Sequence, residues 1–267
     1  MDSLKSPLEL DETAEVRRIS AFVRETVARA GAKGVVVGLS GGVDSAVVCS
    51  LCTRALGRKR VLGILMPSAS TPPIDMSDAM KLASSLGIDT EEVRIDGVVE
   101  SLLTVLRTEG SRIARANLQA RTRMMVLYFY ANSLGRLVAG TGDRSEILVG
   151  FFTKYGDGGA DLLPIGHLYK TEVRRLGQHL GVQKRILEKP PSPQLWPGHR
   201  ATDELPADYD KLDLVLHYVL DAKLPPSEVA SRAGTGARVV EQVLELNERS
   251  AHKRDVPPTL GRRWENR

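Results

Sequence analysis

The sequence of 267 residues is poor in the features that mark secreted, fibrous or membrane proteins. It has two cysteines, Cys49 and Cys52, which excludes a disulfide scaffold. Two thiolates with no Cys or His pair at finger-like spacing cannot complete a four-coordinate zinc site. The pair sits at i and i+3 in the helical stretch "AVVCSLC" and reads as small core hydrophobes. No apolar run approaches the roughly 20 residues of a membrane-spanning helix. The opening "MDSLKSPLELDE" is acidic and lacks the apolar core of a secretory signal, so a cytoplasmic protein with no membrane contact is expected. Net charge is also small, with 37 Lys+Arg against 33 Asp+Glu. Basic strings such as "HKR" at 252–254 and the closing "RRWENR" are short and carry no interleaved aromatic pattern, which argues against nucleic acid as a partner. A few well-placed cations suffice to attract small polyanions such as nucleotides.

What is present is an ordinary globular composition, 42% hydrophobic and 26% charged. Strand-like apolar runs alternate with helical patterns, as in a parallel α/β sheet. A helix is expected over residues 13–30, then a strand in "GVVVGLS" and a helix from about Gly42 to Leu56. "RVLGILMP" reads as a second strand, "DMSDAMKLASSLG" as a helix and "EEVRID" as a short third strand. "NLQARTRMMVLYFYANSLG" is a long helix, "RLVAGTGD" a fourth strand and "RSEILVGFF" a further helix. The stretch "KYGDGGADLLPIG" has four glycines among residues 156–166 and is expected as an exposed, mobile loop. "EKPPSPQLWPGHRATDELP", with five prolines, reads as a long functional or disordered loop, and two or three helices follow over 208–250. The fold class is therefore α/β, a doubly wound parallel sheet of the Rossmann-like kind with a helical C-terminal part. The simplest division is a single domain over 1–267, with a core at about 15–190 and a helical appendage at about 205–267.

One further absence is informative. Glycines follow the apolar run Val35-Val36-Val37 in "GLSGGVDS" (38–45), but the lysine of a Walker loop is missing. Gly41 and Gly42 allow a tight turn that presents N–H groups to phosphate oxygens, and Ser40 and Ser45 add hydroxyls. Asp44 would repel phosphate directly, so its chemistry suits a bridging Mg²⁺. The plainer alternative is a capped helix, with Ser40 as N-cap and Asp44 favourable in the first turn.

The loop resembles that of the N-type ATP pyrophosphatases, an adenine nucleotide alpha hydrolase-like fold. With "NLQARTRM" (117–124), "GTGDRSE" (140–146), "FFTKYGDGGADLLPI" (151–165) and "HKR" (252–254), the chain resembles ammonia-dependent NAD⁺ synthetases over about residues 15–260. That resemblance implies a ligase forming a C–N bond. Its substrates would be deamido-NAD⁺, ATP and ammonia, with Mg²⁺ as cofactor and no glutaminase domain. It also implies a homodimer.

The roles it implies are specific. ATP would be held by Gly38, Leu39, Ser40, Gly41, Gly42, Val43, Asp44 and Ser45, with Thr141, Lys170 and Ser192. Asp44 and Glu146 would hold the metal. Arg121, Lys154, Asp161, His252 and Lys253 would contact deamido-NAD⁺, the last two through a contact the family often supplies across a dimer. Arg121 shares a helix face with Asn117, whereas Arg123 points about 200° around the helix. Asp157 is assigned to ammonia recognition or deprotonation, with an Asx-type turn as the alternative. Read without the resemblance, Glu146 and Lys170 would be surface residues of helices. Two departures stand out: "LWPGHRATDEL" at 195–205 replaces a "L-W-x-G-Q-T-D-E-x-E-L" pattern, and Asp143 stands where asparagine is common.

Overall fold

The four apolar runs become four parallel strands: β1 (Val35–Gly38), β2 (Val61–Leu65), β3 (Asp89–Glu92) and β4 (Leu137–Val138). Their order is β3-β2-β1-β4 in this computed structural model, which describes residues 7–192, 196 and 198–260. The first residues of the acidic start, Leu195 and Pro197 of the altered 195–205 segment, and the closing "RRWENR" lie outside the described residues. β1 is the first strand and sits inside the sheet, so successive crossovers leave it in opposite directions. That reversal opens a crevice at the carboxyl ends of β1 and β4.

Alternation along β1 explains the two layers. Val35 and Val37 point to one face and pack with helices α1 (Glu12–Arg29), α2 (Val43–Leu56), α3 (Pro73–Leu86) and α7 (Lys170–His179). Val36 points to the other and packs with Leu62, Ile64, Val138, Ile95 and the long helix α5 (Arg112–Leu134). Cys49 and Cys52 are fully buried in the first layer, as small hydrophobes. Burial pushes the Cys49 thiol up to about 12.

A third apolar cluster joins helix α6 (Arg144–Val149) to α9 (Tyr209–Leu216), α10 (Pro226–Arg232) and α11 (Ala237–Arg249), around Val149, Leu212, Leu216 and Val240. Gly150 ends α6 at φ +68°, and a Cβ there would lie 2.1 Å from the Ser250 Cβ. Backbone conformation and close approach thus both demand glycine where the C-terminal helices dock.

Several boundaries differ from expectation. β3 begins at Asp89, two residues before the expected start, because its charged side chains face solvent on a sheet edge with one neighbour. Val93 still donates to the Leu65 carbonyl, and Ile95 then leads into helix α4 (Asp96–Val105), which the pattern does not reveal. α5 starts at Arg112, five residues before the expected Asn117, because the Ser111 side chain caps Ala114 N–H. The glycine-rich stretch is tied down: Gly156 and Gly158 donate to the Thr153 carbonyl, Asp161 N–H to Val138, and Ala139 bridges to Leu162.

Candidate active site

The glycine loop leaves the carboxyl end of β1 and enters α2. Gly41 lies at φ +76°, and a Cβ on it would come within 2.3 Å of the Asp75 carbonyl oxygen. Gly42, not Ser40, is the N-cap of α2, and no side chain caps that end. Ser40 instead accepts from Gly42 N–H at 3.2 Å, and its own N–H donates to Ser45 Oγ at 3.3 Å. Ser40 is therefore not the helix cap, while Asp44 does lie in the first turn of α2 as the alternative had it. The hydroxyls brace the loop from within, and among the described residues no side chain caps the first-turn N–H groups of α2.

Beside this loop lies a buried charge cluster. Lys170 Nζ is 2.9 Å from Asp44 Oδ1, 2.7 Å from Asp143 Oδ2 and 2.9 Å from Glu146 Oε1. Its side chain is only 2% exposed, and Asp143 is fully buried, so neither is a surface residue. Burial would by itself lower the Lys170 pKa, but Asp143, Asp44 and Glu146 outweigh it and hold the ammonium well above its ordinary value. Burial, with Lys170 opposing, raises Asp143. Burial and repulsion by Asp143 push Glu146 well above the usual carboxylate range. Carboxylate oxygens of Asp44, Asp143 and Glu146 all lie within 4.8 Å of one another.

Sequence supplies this arrangement locally. Asp143 and Glu146 form a reciprocal capping box at the start of α6. Lys170 is the first residue of α7, where Tyr169 N–H donates to Glu172. The Lys170 N–H donates to Ser145 Oγ, which donates at 2.5 Å to Asp213 Oδ1, and Asp213 Oδ2 accepts from both N–H and Oγ1 of Thr171. One buried carboxylate on α9 thus caps α7 from outside and fixes Lys170 beside α6.

A cavity of about 570 Å³ gathers most of the expected residues. Gly38, Leu39, Ser40, Gly42, Val43 and Asp44 line it, together with Thr141, Glu146, Asp157, Lys170, Ser192 and Lys253. Gly41 and Ser45 form the layer behind. Ser192 Oγ donates to the His199 carbonyl, which closes that part of the Pro-rich segment on itself. His199 stacks on Trp196 at 3.4 Å between ring centroids, Arg112 lies over Trp196, and His199 Nε2 is 2.5 Å from Glu204. The altered segment thus reaches the start of α5 through the retained Trp196, on which the replacing residue His199 stacks.

The other dinucleotide residues are not on that wall. Arg121 donates to the Lys154 carbonyl, and the Lys154 ammonium donates to the His252 carbonyl. Lys253 Nζ donates to the carbonyls of Gly150 and Phe152, at 2.7 and 2.9 Å. These bonds hold the His252–Lys253 segment against the loop that carries Lys154 in its own chain. Asp161 accepts from Val138 N–H and from Tyr128 OH, and lines a neighbouring cavity of about 660 Å³ with Arg18, Phe22 and Arg144. Asp157 opens onto the central cleft but is crowded by protein atoms. Burial raises its carboxyl above the usual range, against hydrogen bonds from backbone N–H groups that include Thr153, and Lys253 nearby.

Two participants, Arg123 and Asp213, escape the sequence reading, and Asp143, noted there only as a departure, gains a place in the site. Arg123 lines the cleft and donates to the Met66 carbonyl and Ser68 Oγ. Its signal was a charge on the apolar stripe Ala116, Ala120, Leu127, Ala131 of α5. Asp143 is a full member of the carboxylate cluster. Asp213 left no local signal, since its partners are far away in sequence.

The comparisons agree with this geometry. The NAD synthase family matches residues 15–257. The chain is 49% identical over 257 residues to an NH₃-dependent NAD⁺ synthetase of Hyperthermus butylicus, covering 96% of this chain and 93% of that one. It is 48% identical to that of Archaeoglobus fulgidus, covering 91% and 94%. Among solved structures, it is similar to an NH₃-dependent NAD synthetase of Campylobacter jejuni, with a TM-score of 0.81, 28% identity and coverage of 95% and 100%. An NMN synthetase of Francisella tularensis superposes with a TM-score of 0.84 at 34% identity, covering 94% and 99%. Among the described residues no helix is long and apolar enough to cross a membrane. A glycine loop at the carboxyl end of β1, a lysine buried among three carboxylates beside it and sequence identity along nearly the whole chain lead to one assignment: the chain belongs to the NAD synthase family.

Proposed function

We propose that the protein is an NH₃-dependent NAD⁺ synthetase, joining ammonia to the nicotinate carboxylate of deamido-NAD⁺ at the expense of ATP. The observation that carries this reading is Lys170, buried with Asp44, Asp143 and Glu146 in the same cleft as an uncapped glycine loop. A carboxylate is a poor acceptor because hydroxide leaves badly. Attack of a carboxylate oxygen on the α-phosphorus of ATP breaks the bond to the bridging oxygen and expels pyrophosphate. Ammonia then attacks the carboxyl carbon, the carbon–oxygen bond to AMP breaks, and the nitrogen gives up a proton.

The chain's residues fit these steps. The N–H groups of the glycine loop and the start of α2 hold the phosphates. Thr141 and Ser192 place hydroxyls on the same wall. Lys170 supplies positive charge where the phosphorus centre gains negative charge. The three carboxylates are a hard-oxygen donor set, and with Lys170 they carry the negative charge of one divalent cation's counterion, which fits Mg²⁺ held by Asp44 and Glu146 with Asp143. Such an ion would draw charge from the phosphate oxygens. Asp157, on the wall of the same cleft, accepts the proton from the attacking nitrogen. Deamido-NAD⁺ reaches from this cleft toward Arg121, Lys154, Asp161 and the His252–Lys253 segment. Met125 and Phe129 of α5, with Val105 and Leu106, expose large apolar side chains, which supports a homodimer. The cytoplasm supplies all three substrates.

The Francisella protein favours a second reading, in which the mononucleotide is amidated instead. Pyrophosphate release measured with ATP, Mg²⁺ and ammonium separates the two. Deamido-NAD⁺ should support release far better than nicotinate mononucleotide, and glutamine should not replace ammonium. Release with the mononucleotide alone would reassign the substrate, and release with neither would sink the reading.

A further inference from the structure

The glycine loop has no lysine of its own, yet a cation from elsewhere on the cleft wall reaches its backbone. Lys189 Nζ donates to the Gly41 carbonyl at 2.8 Å, to Asp78 Oδ2 at 3.1 Å and to the Asp75 carboxylate. Arg185, on α8 (Lys184–Leu187), takes the other oxygen of Asp78. Asp75 and Asp78 lie in the first half of α3 and are almost fully buried. All three donors of the ammonium therefore have acceptors, and both buried carboxylates have a cation.

The peptide between Gly41 and Gly42 is planar, so its carbonyl and its N–H point in opposite directions. Fixing the Gly41 carbonyl on Lys189 turns the Gly42 N–H the opposite way, where it donates to Ser40 Oγ. A loop that binds anions through N–H groups must send its carbonyls elsewhere, because an inward carbonyl presents negative charge to the phosphate. The glycine at +76° permits this peptide orientation, and Lys189 selects it. Lys189 also directly precedes Pro190-Pro191-Ser192, which line the opposite wall of the cleft. One side chain thus sets both the loop and the start of the segment that carries Ser192.

We infer that Lys189 is a positioning residue for the leaving pyrophosphate: it ties up the Gly41 carbonyl and fixes the Gly41–Gly42 peptide on Ser40, which sets how the loop enters α2 and so where the first-turn N–H groups of that helix meet the phosphates, and it acts through the backbone. This rests on the reading that the loop holds the phosphates of ATP. The test compares pyrophosphate with AMP, as inhibitors of turnover and as ligands in thermal shift, for the wild type, Lys189→Met, Lys189→Arg and the double variant Asp75→Asn/Lys189→Met. The double variant removes the lysine while leaving Asp78 paired with Arg185, so no buried carboxylate is stranded. Both methionine variants should weaken pyrophosphate about tenfold or more while AMP inhibition changes less than about twofold. Lys189→Arg should restore most of the difference. Equal weakening of both ligands, or wild-type pyrophosphate binding in the double variant, would overturn the inference. The thermal shift with pyrophosphate needs no turnover. An inactive wild type that still binds pyrophosphate selectively would refute the proposed reaction and leave Lys189 in its role.

Discussion

Replacing Lys170 by methionine tests the charge cluster directly. Methionine keeps much of the length and apolar stem but removes the ammonium that lies 2.7 to 2.9 Å from three carboxylates. Those carboxylates approach within 4.8 Å of each other. At an effective dielectric near 20, each ionised pair at that distance repels by about 3.5 kcal/mol. Glu146 relieves much of this by taking a proton, since its pKa is already pushed up by burial and Asp143. The net loss should therefore fall at about 3–5 kcal/mol, the usual cost of stranding buried charge. For a chain of this size that lowers Tm by roughly 10 °C. The sign with pH follows from the raised carboxylates: protonation favours the folded variant, so the deficit is largest near pH 8 and shrinks near pH 5. Scanning calorimetry at both pH values, with and without Mg²⁺, reads all of this. Mg²⁺ should stabilise the variant more than the wild type, because the ammonium no longer competes for the same oxygens. A variant that melts with the wild type near pH 8, or shows no extra response to Mg²⁺, would refute the reasoning.

Other outcomes follow from single residues. Burial raises Asp213 to about 6 from an ordinary 3.8, so its contribution to stability is present at low pH and lost as pH rises through about 6. Asp213→Asn should flatten the stability profile between those values by about 3 kcal/mol, measured by denaturant unfolding across pH. Gly150→Ala places a Cβ against Ser250 at a left-handed backbone position, and should cost about 2–4 kcal/mol by the same unfolding assay. Cys49 and Cys52 should not react with a thiol reagent near pH 8 in the native protein, and both should react in denaturant.

The sheet was legible because Val35-Val36-Val37 and "VLGIL" are short apolar runs closed by glycine or proline, with helical periodicity between them. The loop was legible as a phosphate site because the Walker lysine was absent while glycines, serines and an aspartate remained. Lys170 could not be separated from a surface lysine by its local sequence, because its burial comes from Asp44 and Asp143 on other elements. Asp213 and Lys189 were hidden for the same reason: Asp213 meets Ser145 and Thr171 across 68 and 42 residues, and Lys189 meets Gly41 across 148. Helix geometry set Arg121 and Arg123 on different faces of α5, and they bond different partners, the Lys154 carbonyl for one and Met66 with Ser68 for the other. It did not show that the second arginine, on the face toward the sheet, is the one lining the cleft.

The most direct measurement of the central claim follows an oxygen atom. Deamido-NAD⁺ carrying ¹⁸O in its nicotinate carboxylate is turned over with ATP, Mg²⁺ and ammonium, and the products are weighed by mass spectrometry. Adenylation of the carboxylate predicts one heavy oxygen in AMP and none in pyrophosphate. Unlabelled AMP, or label in pyrophosphate, would contradict it.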